Sequence, residues 1–442
     1  MMLQRIFTEK YRNLDLSRAI DLGNIDIFVG SNGSGKTNLI DLITFIRDAL
    51  TLPDSEAMGI SKLEKAYFRS RKDFLDKWMR QDKRGMIRFE FYFDYPELHD
   101  RFSSEPKKLL LLSLVLFIDT KGNPHLSYES LASISENPLL TDQHSFYYQC
   151  SDHYNDLQSP PEKEGEVFVF IDNQKKNLEP VNISKIPSDR LLLESITSVL
   201  ETTDIAPSKA PIYAIRRFLI ERISSWHFYN ANVMNIQAIR EAEPKVGQSD
   251  IYVSPSGENL ALVLHNLIND SIDFEEEINR AAKAIRPDSQ KIRTALTGLL
   301  SLTVQWKISG IAEPFRLDEL SDGTVRMLCW ATILRSHKLP SLIVIEEPEV
   351  GIHPAWLEVL AEWIKLASER TQVIITTHSP DLLDCFTDRL ENVYVFNKKQ
   401  DDPHHFVVDR LSRDRFQSLL DEGWELGDIY RVGDPTLGGW PW

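Results

Sequence analysis

The sequence of 442 residues predicts an α/β fold, in which a parallel sheet covered by helices on both faces is completed by the two ends of the chain. Three observations lead there. A short apolar run at 25–29 (IDIFV) ends in a glycine-rich loop that opens a helix. About 300 residues later, apolar strand-like runs at 341–345 (SLIVI), 372–376 (QVIIT) and 392–396 (NVYVF) alternate with helical stretches, the rhythm of a parallel sheet. Between the two ends the pattern changes. Residues 101–305 therefore read as an inserted, mainly helical region between a first part at 1–100 and a last part at 306–442.

Taken in order, the helix from Thr37 to Leu50 places Leu39, Ile40, Ile43, Ile46 and Leu50 at helical spacing. Residues 62–88 hold ten basic and four acidic side chains with Tyr67, Phe68, Phe74 and Trp78 interleaved, which fits a solvated helix face or a nucleic-acid contact. The β-branched and aromatic run 87–93 (IRFEFYF) reads as a strand, as do 109–118 (LLLLSLVLFI) and 166–171 (EVFVFI). Loop signals at Ser159-Pro160-Pro161 and the polar stretch 172–187 follow. From 189 to 300 the character is helical, with apolar stripes at 190–201, 211–224, 258–269 and 273–285 that suit core packing. No heptad persists and no internal repeat is visible. Further helices are expected from near Thr324, over 354–367 and near 380–385.

Composition limits the class. With 66 acidic and 50 basic side chains the net charge is −16, which argues against uniform non-specific nucleic-acid binding and leaves room for a local basic face. The 42% apolar and 26% charged fractions exclude a wholly disordered or collagen-like chain. Cys150, Cys329 and Cys385 lie far apart, with neither metal-type spacing nor a disulfide framework, as expected in a reducing compartment. The first residues lack the apolar core of a secretory signal, and the longest apolar run, Leu109 to Ile118, is about half a bilayer span. The expectation is a cytoplasmic protein without a membrane segment.

Gly30-Ser31-Asn32-Gly33-Ser34-Gly35-Lys36-Thr37 fits G-x-x-x-x-G-K-[ST] in full, with a strand before it and a helix after. Its glycines let backbone N–H groups turn inward onto phosphate oxygens, and the following helix aims its positive end there. Lys36 would meet the β- and γ-phosphates, and the Thr37 hydroxyl would ligate Mg²⁺. Glu346 and Glu347 sit just past the apolar run of SLIVIEEPE, at the edge where open parallel sheets bind ligands. Because neighbouring strand residues face opposite ways, one carboxylate would hold the metal and the other would receive the attacking water. His378, directly after VIITT, can reach a γ-phosphate and sense its loss.

Together SNGSGKT, LSDGT, IEEPEVGIHP and TTHSP resemble the ABC-type ATPases of the SMC, RecF and OLD group, and more closely the compact bacterial ATPases of anti-phage defence systems. The resemblance covers 1–50 and 315–396 well, and the tail GWELGDIYRVGDPTLGGWPW is similar to tails in that group. It implies an ABC-type P-loop NTPase head that uses ATP and Mg²⁺. Residues 30 to 37 would be its Walker A loop, with Thr37 and Glu346 on the metal. Glu347 would be the general base and His378 the switch histidine. Ser321, Asp322, Gly323 and Thr324 stand at the signature loop, which in the resemblance meets nucleotide bound by the other subunit. Three features depart from the pattern: LSDGT replaces LSGGQ, glutamate replaces aspartate at the metal position, and Gln81 is only a positional candidate for the glutamine-bearing loop.

The 64 residues after His378 are too few for the nuclease domain of OLD proteins, and without long heptads the chain is not an SMC protein. The expectation is an ATPase that forms a homodimer or higher oligomer through an ATP sandwich and gates a separate effector, a nuclease or toxin. The alternative is a RecF-like ATPase whose partner is DNA. A scaffold that binds ATP without turnover fits poorly with the retained Glu347 and His378.

Overall fold

The computed structural model describes residues 3–53, 61–69, 85–96, 108–118, 122–135, 145–151, 166–172, 178–184, 190–201, 210–399, 402–434 and 437. Most of the basic stretch, with Phe74, Trp78 and Gln81, lies outside the described residues, as do Ser159-Pro160-Pro161 and the last five residues of the tail. The chain divides into two compact units. One comprises Met1–Gly23, Asn32–Trp226 and Phe396–Val408; the other comprises Asn24–Ser31, His227–Val395 and Asp409–Trp442.

The first unit is built on an eight-stranded sheet. Its order is Ile20–Asp21, Leu3–Glu9, Gly85–Asp94, Lys108–Ile118, Pro124–Ser135, Ser145–Ser151, Glu166–Asp172 and Leu178–Ser184. Every pairing is antiparallel. The leucine run Lys108–Ile118 does not alternate because residues on both of its faces are buried. Helix Lys36–Thr51 packs Phe45 against Phe89 (ring centroids 5.7 Å apart) and Tyr67 (6.4 Å). The described start of the basic stretch, helix Lys62–Arg69, turns Leu63, Ala66 and Tyr67 inward and pairs Lys62 with Glu194 at 2.6 Å. Residues 101–305 thus show two characters: strands up to Ser184 that extend the sheet containing Leu3–Glu9, and mainly helices from Leu192 onward.

The second unit carries the parallel sheet. Strands His227–Asn230, Leu342–Glu346, Gln372–Thr377 and Ile25–Gly30 are neighbours in that order and all run the same way. Val393–Lys399 and Asp402–Arg410 follow next in the sheet. Residues 342–345, 372–377 and 25–30 are all buried, which is why they read as continuous rather than alternating apolar runs. Helices Leu260–Asp270, Ile272–Ile285, Asp322–Leu334 and Leu357–Ser368 share its core. Two elements interrupt the expected helical stretch: strand His227–Asn230, and the hairpin of Ser289–Thr297 and Ser301–Ile308, whose buried Trp306 donates Nε1–H to Ser289 Oγ (2.6 Å). Among the described residues no helix is long and apolar enough to cross a membrane.

In the first unit, wholly buried Glu129 on strand Pro124–Ser135 joins sheet to helix. Its carboxylate accepts hydrogen bonds from the Tyr148 hydroxyl (2.7 Å) and from the N–H groups of Leu192 (2.6 Å) and Leu193 (2.7 Å) at the start of helix Leu192–Glu201. Burial pushes the carboxyl up to about 7, against the pull of those three donors. A carboxyl raised in the folded state contributes stability that is complete below the unfolded value, 4.5, and is lost as pH rises through about 7. Unfolding free energies from denaturant melts between pH 4.5 and 7.5 should fall for this reason by up to about 3 kcal/mol. Glu129→Gln should flatten that slope at lower overall stability, because one oxygen that accepts an N–H becomes an NH₂.

Candidate active site

In the second unit the strand register gathers the acidic tip. Glu346 lies level with Asn230 on one side and Thr376 on the other, and Thr377 with Val29. Asn230 Nδ2 donates to Glu346 Oε1 (3.2 Å). Beyond the strand end Glu347 turns into the left-handed region (φ +50°), anchored by its N–H on the Thr376 carbonyl (2.9 Å) and by its own carbonyl, which accepts from Val350 N–H (3.1 Å). That backbone is costly for a side-chain-bearing residue and throws the carboxylate out of the strand's alternation. Asn232 Nδ2 donates to Glu347 Oε2 (2.9 Å), and His378 Nε2 stands 3.9 Å from Oε1. Both side chains are about one-third exposed. A carboxylate held this way can accept a hydrogen bond from a water molecule in front of it.

His378 is itself fixed from behind. The half-buried Glu349 accepts from the Thr377 hydroxyl (2.6 Å) and from the His378 N–H (3.1 Å) through the same oxygen, and desolvation holds its carboxyl above the usual range. Its other oxygen is enclosed and has no hydrogen-bond partner among the described residues. The Ser379 hydroxyl then caps the short helix Pro380–Asp384 by accepting from Leu382 N–H (3.2 Å).

Ser321 and Thr324 begin helix Asp322–Leu334: the Ser321 hydroxyl accepts from Thr324 N–H (3.3 Å) and meets the Thr324 hydroxyl at 2.7 Å. Asp322 is exposed and pairs with Arg240 (2.7 Å), which also donates to the Leu320 carbonyl. Gly323 has a reason within its own unit to lack a side chain, since a Cβ there would lie 3.2 Å from the Trp356 ring and 3.3 Å from the Gly351 carbonyl. Arg326, one turn on, donates to the Ala231 carbonyl, between the two asparagines that hold the glutamates.

The glycine-rich loop is shared between the units. Gly30 and Ser31 leave the parallel sheet beside Thr377, while Asn32–Thr37 belong to the first unit. There the loop is clamped from the chain before it: Asn13 Nδ2 donates to the Gly33 carbonyl (3.0 Å), Asn38 donates to Asn13 Oδ1 (2.5 Å), and Arg12 ties Asn38 (2.7 Å) and Asp41 to the same cluster. Gly35 takes φ +99° directly before the helix that opens at Lys36. Lys36 is buried, its Nζ 3.4 Å from Ser34 Oγ.

A family model described as "AAA domain, putative AbiEii toxin, Type IV TA system" matches residues 27–384, four-fifths of the chain. The chain belongs to that family. No curated protein matches it. Among solved structures, the SMC head bound to the C-terminal winged-helix domain of ScpA is similar at 12% identity with a TM-score of 0.50, covering 93% of this chain and 99% of that one. The SMC head domain from Thermotoga maritima (12% identity, coverage 93% and 100%) scores 0.41, and the Pyrococcus furiosus SMC head with an extended coiled coil (12%, 95% and 98%) scores 0.44, too low to add weight. At such identity the likeness fixes architecture alone: this AAA-domain chain has an ABC-type P-loop NTPase fold similar to that of the SMC head.

Sequence reasoning missed the residues that brace the family's motifs. Asn230 ends a strand too short to show a period and Asn232 lies in the turn just after it, though two asparagines after the apolar WHFY are a strand-end signal. Arg12, Asn13, Arg240, Arg326 and Glu349 act through folding partners far along the chain and carry no local signature. The clamp on the loop is testable by Gly35→Ala. Its Cβ would lie 2.9 Å from Asn13 Oδ1 and 2.9 Å from Leu14 Cδ2, on a backbone that disfavours any side chain. Denaturant melts should show a loss of about 1–3 kcal/mol.

Proposed function

We propose that this chain binds ATP and hydrolyses it with Glu347 as general base, pairs with a second copy around nucleotide, and so gates a separate effector, a nuclease or toxin, in bacterial anti-phage defence. The supporting observation is the acidic tip: a strained Glu347 oriented by Asn232 and facing His378, beside Glu346, on the sheet edge from which the phosphate loop departs. In this reading 1–100 and 306–442 make the ATPase head, with 101–305 inserted.

Residues 30–37 cradle the phosphates, with Lys36 as the charge on the β- and γ-groups. Hard oxygen donors, the Thr37 hydroxyl and the Asn230-oriented Glu346 carboxylate, suit Mg²⁺, which takes one or two protein ligands and completes its shell with water and substrate phosphate. Bound there, the ion would neutralise charge on the transferring phosphoryl group. Glu347 receives the proton of the attacking water, and His378 contacts the γ-phosphate. Ser321, Asp322, Gly323 and Thr324 present the start of their helix to nucleotide on the partner copy, where its positive end suits an anion.

Glu347→Gln keeps the hydrogen bond to Asn232 as an amide oxygen but loses the base. It should bind ATP normally and turn it over at least ~10²-fold more slowly in a phosphate-release assay. Undiminished turnover would remove Glu347 from its role. Lys36→Ala should weaken ATP binding at least tenfold by calorimetry, about 1.4 kcal/mol or more. An unchanged affinity would mean that the loop is not the phosphate site.

A further inference from the structure

In the second unit, the hairpin of Ser289–Thr297 and Ser301–Ile308 turns at Gly298-Leu299-Leu300 and breaks two local rules there. Leu300 takes φ +66°, a left-handed position that hairpin turns usually give to glycine or asparagine. Its neighbours are apolar and in solvent: Leu296 is 63% exposed, Leu299 92%, Leu300 61%, and Val246, whose N–H donates to the Leu300 carbonyl (3.0 Å), 36%. A polar turn would satisfy this chain better. Strain and exposed leucines at one tip mark a surface that something else covers.

We infer that this leucine-bearing turn is a contact to a second copy of the chain, made when nucleotide bridges the pair; the inference rests on the dimer proposed above. Continuity supports the second copy. Residues 244–246 run along the hairpin, with Leu302 N–H on the Pro244 carbonyl (2.8 Å) and Lys245 bridged to Ser301. Six residues before Val246, Arg240 holds Leu320 and Asp322 of the signature turn, and six residues of chain span at most about 21 Å. A short, tethered stretch of chain therefore ties the tip to the turn that would meet the neighbour's nucleotide.

Area and charge point the same way. Three leucines and a valine offer well under the ~800 Å² that each partner of a stable complex buries, so the patch cannot hold a pair alone and can only add to one already bridged. Two copies at −16 each repel, and an uncharged contact is what their approach requires. The adjoining Arg240, Glu241, Glu243 and Lys245 balance in charge, which gives anionic lipid no purchase.

The test measures the dimer dissociation constant by sedimentation equilibrium with ATP and Mg²⁺ in full-length Glu347→Gln, which should retain ATP. Adding Leu299→Ser should weaken the dimer roughly tenfold or more. Adding Leu300→Gly should weaken it too, yet raise the melting temperature of the nucleotide-free chain, because glycine accepts the left-handed backbone without strain. That opposition separates docking from a merely structural role. Dissociation constants equal to the parent's would overturn this contact and leave the nucleotide-bridged dimer standing; a parent that stays monomeric with ATP would overturn the dimer and the contact together.

Discussion

The register of four parallel strands is the constraint on which the rest of the candidate site depends. Asn230, Glu346, Thr376 and Thr377, and the Val29-Gly30 step reach one edge together because Leu342–Glu346 and Gln372–Thr377 pair without slippage and Ile25–Gly30 joins them. Side chains alternate along a strand, so a slip of one residue would turn Glu346 into the core and an isoleucine to the tip. What prevents the slip is burial on both faces: Val344, Ile345, Ile374 and Ile375 are fully enclosed, and no shifted pairing encloses them equally. The polar tip is positioned by the apolar run behind it.

That division of labour explains what could be read from the sequence. The parallel strands and the helices after 190 were legible because each has a dense local pattern: continuous β-branched runs in one case, stripes at helical spacing in the other. The glycine-rich loop was legible because its chemistry tolerates few alternatives at Gly35 and Lys36. The eight-stranded antiparallel sheet was only half visible. Lys108–Ile118 announces itself, but Pro124–Ser135 (PHLSYESLASIS) mixes serines with leucines and buries them along with Glu129, so its pattern follows its neighbours in space. The hairpin at 289–308 went unread for another reason: KIRTALT is only partly alternating, and its exposed leucines mimic a helical stripe.

Within the site the same contrast holds. Glu346, Glu347 and His378 could be singled out because each ends or follows an apolar strand. Their supports could not, because Asn232 reaches Glu347 across 115 residues of sequence and Arg326 reaches Ala231 across 95. Using an amide to orient Glu347 has a physical merit. A cation in that place would bind the carboxylate in an ion pair and lower its basicity, whereas asparagine directs one oxygen and leaves the other toward His378 and solvent.

The tight seat of Gly323 has a consequence for how this chain can change over time. Its missing Cβ is the space filled by the Trp356 ring and the Gly351 carbonyl, and Gly351 in turn has Arg326 against it, where a Cβ would lie 2.7 Å from Nε. The four positions, from helix Asp322–Leu334 and from the segment after the acidic strand, occupy one shared volume. Substitutions among them will be non-additive, each tolerable only in the company of another. Such positions drift as a set or not at all, so relatives with a larger residue at 323 should carry a compensating loss at 356, a covariation rooted in packing rather than in catalysis.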